Sequence, residues 1–241
     1  MFRKKFLLLS TIGCLLFSFS FLPVAYSDNS APIALHANVV TAQIVQSNDN
    51  ILEVELIIPK VQGLTDAAYQ NRLNKELLQK ALKSKKYMEK ISRQNFKESQ
   101  KEKFEFHLHF LKQEYELINN EKILSFTVTT YEYTGRAHGM TYIEYYNIDL
   151  KENKRLQLKD LFTPLVDYKK IIDEEIFHQI VLRTEKEDHI YFTDEAGFKG
   201  INEATSFYVQ GDNLIIAFAL YEIAPYFMGI PNFVIPMSKF R

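Results

Sequence analysis

In 241 residues the chain carries 29 Lys and Arg against 30 Asp and Glu, a formal charge of −1; the two signs are interspersed, so no basic stripe marks it for nucleic acid. Tryptophan is absent, but there are 14 Tyr and 19 Phe, and exposed tyrosines favour recognition surfaces because each offers a rigid flat face and a hydroxyl at small entropic cost. The single cysteine, Cys14, lies in an apolar N-terminal run, which excludes disulfide and thiolate chemistry from what remains once that run is removed.

That run is the first element. Arg3, Lys4 and Lys5 form a basic head, residues 6–22 are apolar and uncharged, Pro23 breaks the run, and Ala25 and Ser27 put small residues where a signal peptidase reads. Residues 1–27 therefore read as a secretory signal peptide cleaved after Ser27, which makes the protein extracytoplasmic: secreted, periplasmic or held in the cell envelope. The rival reading is a retained anchor. The proline, the small residues and a length just short of the ~20 residues of a membrane span favour cleavage.

A polar linker to about Pro32 leads into a β-rich stretch, 33–45. In 51–58, Leu52, Val54, Leu56 and Ile58 alternate with Glu53 and Glu55, which predicts a half-buried strand. Thr65 is a candidate N-cap for a helix reaching about residue 100, with Leu73, Leu77, Ala81, Met88 and Ile91 on one side. Its lysine-rich remainder is mixed with glutamate and reads as a solvated outer face. Next, Phe104, Phe106, Leu108 and Phe110 are expected on one face of a strand, with Glu105, His107 and His109 on the other.

Strands are predicted at 123–133 and 141–150, then a polar turn at 151–154 and a further strand beginning near Arg155. Thr163 and Pro164 look like the N-cap and first residue of a second helix, whose buried side carries Leu165, Tyr168, Ile172, Ile176 and Ile180. A hairpin turning at Gly211, Asp212 and Asn213 and a last strand at 233–237 complete the chain. The fold class expected is α+β, with mainly antiparallel sheet packed by two amphipathic helices. Subdomains are expected at 28–140 and 141–241.

Chemistry has few places to live in this pattern. His107 and His109 stand two apart, as zinc ligands on a strand do, and His138 is the one candidate third ligand. That trio would support a metal-dependent hydrolase acting on cell-envelope polymer. Against it, the motifs Gly-x-Ser-x-Gly, His-Glu-x-x-His and Ser-x-x-Lys are missing, as is a phosphate-cradling glycine loop. Asp194 and Glu195 lack a visible partner carboxylate for glycoside hydrolysis. The stretch 131–140 reads as a tight turn between strands, in which His138 either bonds the backbone of its own turn or lines a surface with Tyr131 and Tyr133.

The run Tyr133-Thr134-Gly135-Arg136-Ala137-His138-Gly139 resembles the Tyr-Thr-Gly-Gly-Ala-His-Gly element of extracytoplasmic bacterial proteins carrying domain of unknown function 3298, often with companion domain 4163 upstream. Arg136 replaces a glycine of that pattern. Tyr146 to Leu150, Arg155 to Phe162, and Ile223 to Pro236 are similar to the same family in the same order. The resemblance makes 28–140 companion-like and 141–241 the 3298-like part. The family includes the ectodomain of an anti-sigma factor that senses lysozyme by binding it and the non-catalytic part of a peptidoglycan deacetylase. It thus implies a non-enzymatic binding module, without cofactor, recognising an extracellular protein such as lysozyme or a peptidoglycan fragment. Only five residues precede the apolar run, so a sigma-binding segment is not expected. The recognition surface expected comprises Tyr131, Tyr133, Arg136, His138, Pro225 and Tyr226, since aromatics and arginine dominate the energetics of desolvated interfaces.

Overall fold

The computed structural model describes residues 40–186 and 189–241, so the leader expected at residues 1–27, the expected cleavage after Ser27 and the linker lie outside the described residues. Two strands open the fold, β1 (Val40–Asn48) and β2 (Leu52–Val61). They pair antiparallel across a turn in which the Asp49 carboxylate accepts from the backbone N–H of Ile51 (2.9 Å) and Leu52 (2.8 Å). Those two bonds hold the Asp49 carboxyl below its ordinary pKa. Leu52, Val54, Leu56 and Ile58 are buried, as the alternation predicts.

The first helix, α1 (Ala67–Glu102), is capped by Asp66, whose side chain accepts from Tyr69 N–H at 2.9 Å. Thr65, the expected cap, instead accepts from Asn153 Nδ2 through its hydroxyl. Lys103, in the left-handed region with φ 55°, ends the helix and bonds back to Ser99 O. Leu73, Leu77, Ala81 and Met88 bury one stripe of α1 against the sheet. Each large apolar side chain so covered contributes about 1.5–3 kcal/mol. Because a helix joins them, β2 and the next strand, β3 (His109–Asn120), pair in parallel.

The strands β4 (Ile123–Tyr133), β5 (Met140–Asp149) and the short β6 (Lys154–Arg155) extend the sheet antiparallel, giving the order β1-β2-β3-β4-β5-β6. One expectation fails here. Residues 104–108 precede β3, Phe104 and Phe110 are exposed, and His109 is buried. The parallel register sets His109 opposite Leu52 and Leu111 opposite Val54, so His109 shares the core-facing side with Leu111. The run of apolar residues at even positions ends at Phe110, and the pleat takes its phase from Leu111.

The second helix, α2 (Tyr168–Lys186), begins later than Thr163 and Pro164 suggest. Those residues form a turn closed by Val166 N–H to Thr163 O (3.0 Å), which leaves Leu165 97 % exposed. Ile172 and Ile176 bury the inner side of α2 against a second sheet of β7 (Ser206–Gln210), β8 (Asn213–Ala217) and β9 (Asn232–Pro236), in the order β7-β8-β9. Phe207, Leu214, Ile216, Phe233 and Ile235 face α2.

The second sheet meets the first through β7, which lies against β3, β4 and β5. Tyr145 stacks on Tyr208 across the interface (5.6 Å, 2°), where burial pushes the Tyr145 hydroxyl up to about 12. Asn147 donates to Phe207 O (2.7 Å) and accepts from the Ser125 hydroxyl (2.8 Å). The architecture is α+β with mostly antiparallel sheets. The expected division between residues 140 and 141 falls inside β5, after its first residue, and β5 is a hydrogen-bonded neighbour of β4 along ten residue pairs. The two apolar clusters divide further on, the first ending at Ile148 with the partly buried Leu150 and the second beginning, but for the partly buried Ile123, at Leu156.

Candidate recognition site

The loop between β4 and β5, residues 134–139, is shaped by two glycines. Gly135 has φ +77° and lies over the start of β3: a Cβ there would stand 3.4 Å from His107 Cβ and 3.6 Å from His109 Nε2. Gly139 lies flat against the Tyr131 ring, where a Cβ would come within 2.3 Å of its Cζ. Any Cβ there would force the Tyr131 ring to shift, so this close approach favours glycine.

Gly139 presents its carbonyl oxygen to two donors, Tyr226 OH at 3.1 Å and His138 Nδ1 at 3.0 Å. A carbonyl only accepts, so Nδ1 carries a hydrogen, and in the neutral imidazole Nε2 is the acceptor. The two rings then stack at 4.1 Å and 24°. Tyr221 adds a third ring 5.6 Å from Tyr226, with its backbone in the left-handed region at φ 66°. Pro225, at φ −63°, precedes the one-turn 3-10 segment Tyr226–Met228, which Gly229 ends with φ 71°. On this turn Phe227 is 70 % exposed.

Tyr133 stands opposite Phe110 in the β3–β4 ladder, their rings 6.0 Å apart on the sheet face turned away from α1. Arg136 is exposed within the loop. Of the six residues expected at the surface, Tyr131, His138 and Tyr226 are therefore joined through Gly139, Pro225 positions Tyr226, and Tyr133 belongs to a neighbouring pair with Phe110. Tyr221, Phe110 and Phe227 were missed from sequence. Tyr221 enters through a backbone conformation that sequence does not announce, and Phe110 through a strand register opposite to the expected one.

The three histidines of the metal alternative do not form one group. His107 is exposed beside Gly135. His109 is buried, its Nδ1 bonded to Ser92 Oγ at 2.8 Å, and burial holds its pKa below the ordinary value. His138 is committed to Gly139 and Tyr226. Among the described residues no cluster of three His, Cys, Asp or Glu could hold a metal ion. What the cluster offers is flat ring faces, a free tyrosine edge and an imidazole nitrogen, which suits stacking and hydrogen bonding to a ligand.

Residues 159–238 match the family described as Protein of unknown function (DUF3298), and residues 45–141 match the one described as Deacetylase PdaC. The chain is 30% identical over 191 residues to Anti-sigma-V factor RsiV of Bacillus subtilis, covering 76% of this chain; the chain spans 62% of that relative's length. Its fold is that of a DUF3298 family member from Bacteroides fragilis (TM-score 0.60, 21% identity, covering 83% of this chain and 92% of that one). A DUF3298 family protein from Pseudomonas aeruginosa has the same fold (TM-score 0.56, 16% identity, 85% and 94% covered). Among the described residues no helix is long and apolar enough to cross a membrane.

Proposed function

We propose that this chain, a DUF3298 segment behind a PdaC-type one, is an extracytoplasmic, non-catalytic binding module that captures an extracellular protein of the lysozyme kind on the Tyr133, His138 and Tyr226 face. The observation that carries this reading is the Gly139 carbonyl held by two donors. It fixes both rings before a ligand arrives, so little side-chain freedom is lost on binding. Rings of this kind are the usual anchors of an interface, and Arg136 adds a charge beside them. The relationship to an anti-sigma factor supports a protein ligand. The PdaC-type match supports the second reading, a peptidoglycan fragment whose sugar rings lie on the tyrosine faces.

Titration calorimetry with lysozyme and with soluble peptidoglycan fragments, on the parent chain and on Tyr226→Ala and Tyr133→Ala, tests both readings. Loss of one anchoring ring is expected to weaken capture by at least about tenfold, equivalent to 1.4 kcal/mol. Unchanged affinity in both variants would remove the aromatic face from the account. Absence of heat with either ligand would remove the ligand class.

A further inference from the structure

The open edge of β5 carries a second surface, which does not depend on the reading above. Among the described residues, β5 pairs along its whole length with β4, but β6 covers only Ile148 and Asp149 on the other side. The outward direction of the backbone is fixed by two contacts: Leu156 N–H reaches Asn147 O (2.7 Å), and Arg155 Nη2 reaches Tyr145 O (2.9 Å). Strand alternation then turns the N–H and C=O of Thr141 and Ile143, and the N–H of Tyr145, to the same open side.

Two hollows flank this edge. One, of about 160 Å³, lies between Met140, Ile143 and the apolar residues Phe218, Leu220 and Ile230. The other, of about 300 Å³, is polar, with Asn147, Arg155, Gln157 and Thr205 in its wall. Both share Ile143, Tyr145 and Ser206, so they follow one another along the strand. Residues 203–207 and 217–220 wall the edge, which makes it the floor of a cleft.

We propose that this edge is a docking site for an extended segment of a partner protein, which joins the first sheet as an added strand. Unpaired backbone groups in a row are a template for such a strand, while hollows beside it select alternate side chains. The ~3.3 Å rise per residue lets side chains two or four positions apart enter successive hollows. The first takes an aliphatic side chain. The second favours an acidic or amide side chain, because its acids are already paired outside it, Glu144 with Lys80 (2.6 Å) and Glu203 with Lys169 (3.1 Å), and its cation is Arg155, which gives Nη2 to Tyr145 O (2.9 Å) and reaches Glu76 through Nη1 only at 3.5 Å. A walled edge admits a single strand more readily than the flank of a second folded copy.

The test is selection of a displayed library of random peptides about ten residues long, the length of a long strand, against the full chain. Peptides carrying an aliphatic residue followed by an acid or amide are expected, and their binding should slow exchange of the Ile143 and Tyr145 amide hydrogens. Ile143→Pro removes an outward N–H while leaving the β4 ladder intact and should weaken binding by at least about tenfold. Ala204→Trp, an exposed position on the polar hollow, should do the same by filling it. N-methylation of alternate peptide residues should abolish binding, and this result stands even if Ile143→Pro fails to fold. Tyr226→Ala should leave peptide affinity unchanged. The proposal is overturned if no peptide is enriched, if enriched peptides ignore both variants and N-methylation, or if the free chain is a dimer that Ile143→Pro dissolves.

Discussion

Replacing Asn147 with alanine removes the side chain that ties the two sheets together. Asn147 is 2% exposed and Ser125 is 0% exposed, so no solvent reaches the contact. The change leaves the Phe207 carbonyl without its donor at 2.7 Å and the Ser125 hydroxyl without its acceptor at 2.8 Å. An unsatisfied buried polar group costs about 1–3 kcal/mol. The hydroxyl can rotate toward another acceptor, so the two together come to about 2–4 kcal/mol, a large part of the ~5–15 kcal/mol a domain commonly holds. Urea unfolding followed by circular dichroism should show the midpoint falling by about 1 M with an unchanged slope. Asn147→Asp adds a test of sign. A buried carboxyl can donate to Phe207 O only when protonated, so its folded pKa is raised, and its deficit against the parent should be smallest in acid and grow as pH rises. A loss under about 0.5 kcal/mol for Asn147→Ala, the scatter of ordinary surface changes, would refute the reasoning.

Gly139→Ala should destabilise by about 1–3 kcal/mol, since its Cβ meets the Tyr131 ring; adding Tyr131→Ala should recover part of that loss, and strict additivity in thermal unfolding would count against the contact. His109, held by burial below the ordinary histidine pKa of about 6.5, leaves the unfolded chain as the better proton binder in mild acid. Stability should therefore be fully present above about pH 6.5 and fall as the pH drops toward the folded value, and His109→Gln should flatten that slope in unfolding measured between pH 7.5 and 5.

How much was legible depended on whether a signal was local. The alternation of β2 and the boundaries of β4 were read correctly because each residue's neighbours two positions away carry the same message. The stripe of α1 was read as far as Met88; Ser92 was missed because a buried serine makes sense only beside His109 Nδ1. The facing of His109 is decided by a partner strand more than fifty residues away in sequence. The start of α2 shifted because Thr163 O closes a turn with Val166 N–H, and Asp167 then accepts from Lys170 N–H at the helix start. In the recognition cluster, residue types were visible in sequence, but the convergence on Gly139 requires residues 87 positions apart to meet.

The β4–β5 ladder also limits how this protein can be cut or recombined. The PdaC-type match stops at residue 141, one step into β5. A fragment ending there would strip Phe126 of the Tyr146 ring stacked on it at 4.8 Å and leave Ile123–Tyr133 with bare amides along one flank. Any natural or engineered exchange of the front segment must therefore import a replacement for Met140–Asp149, and the natural place to divide the gene lies beyond that strand.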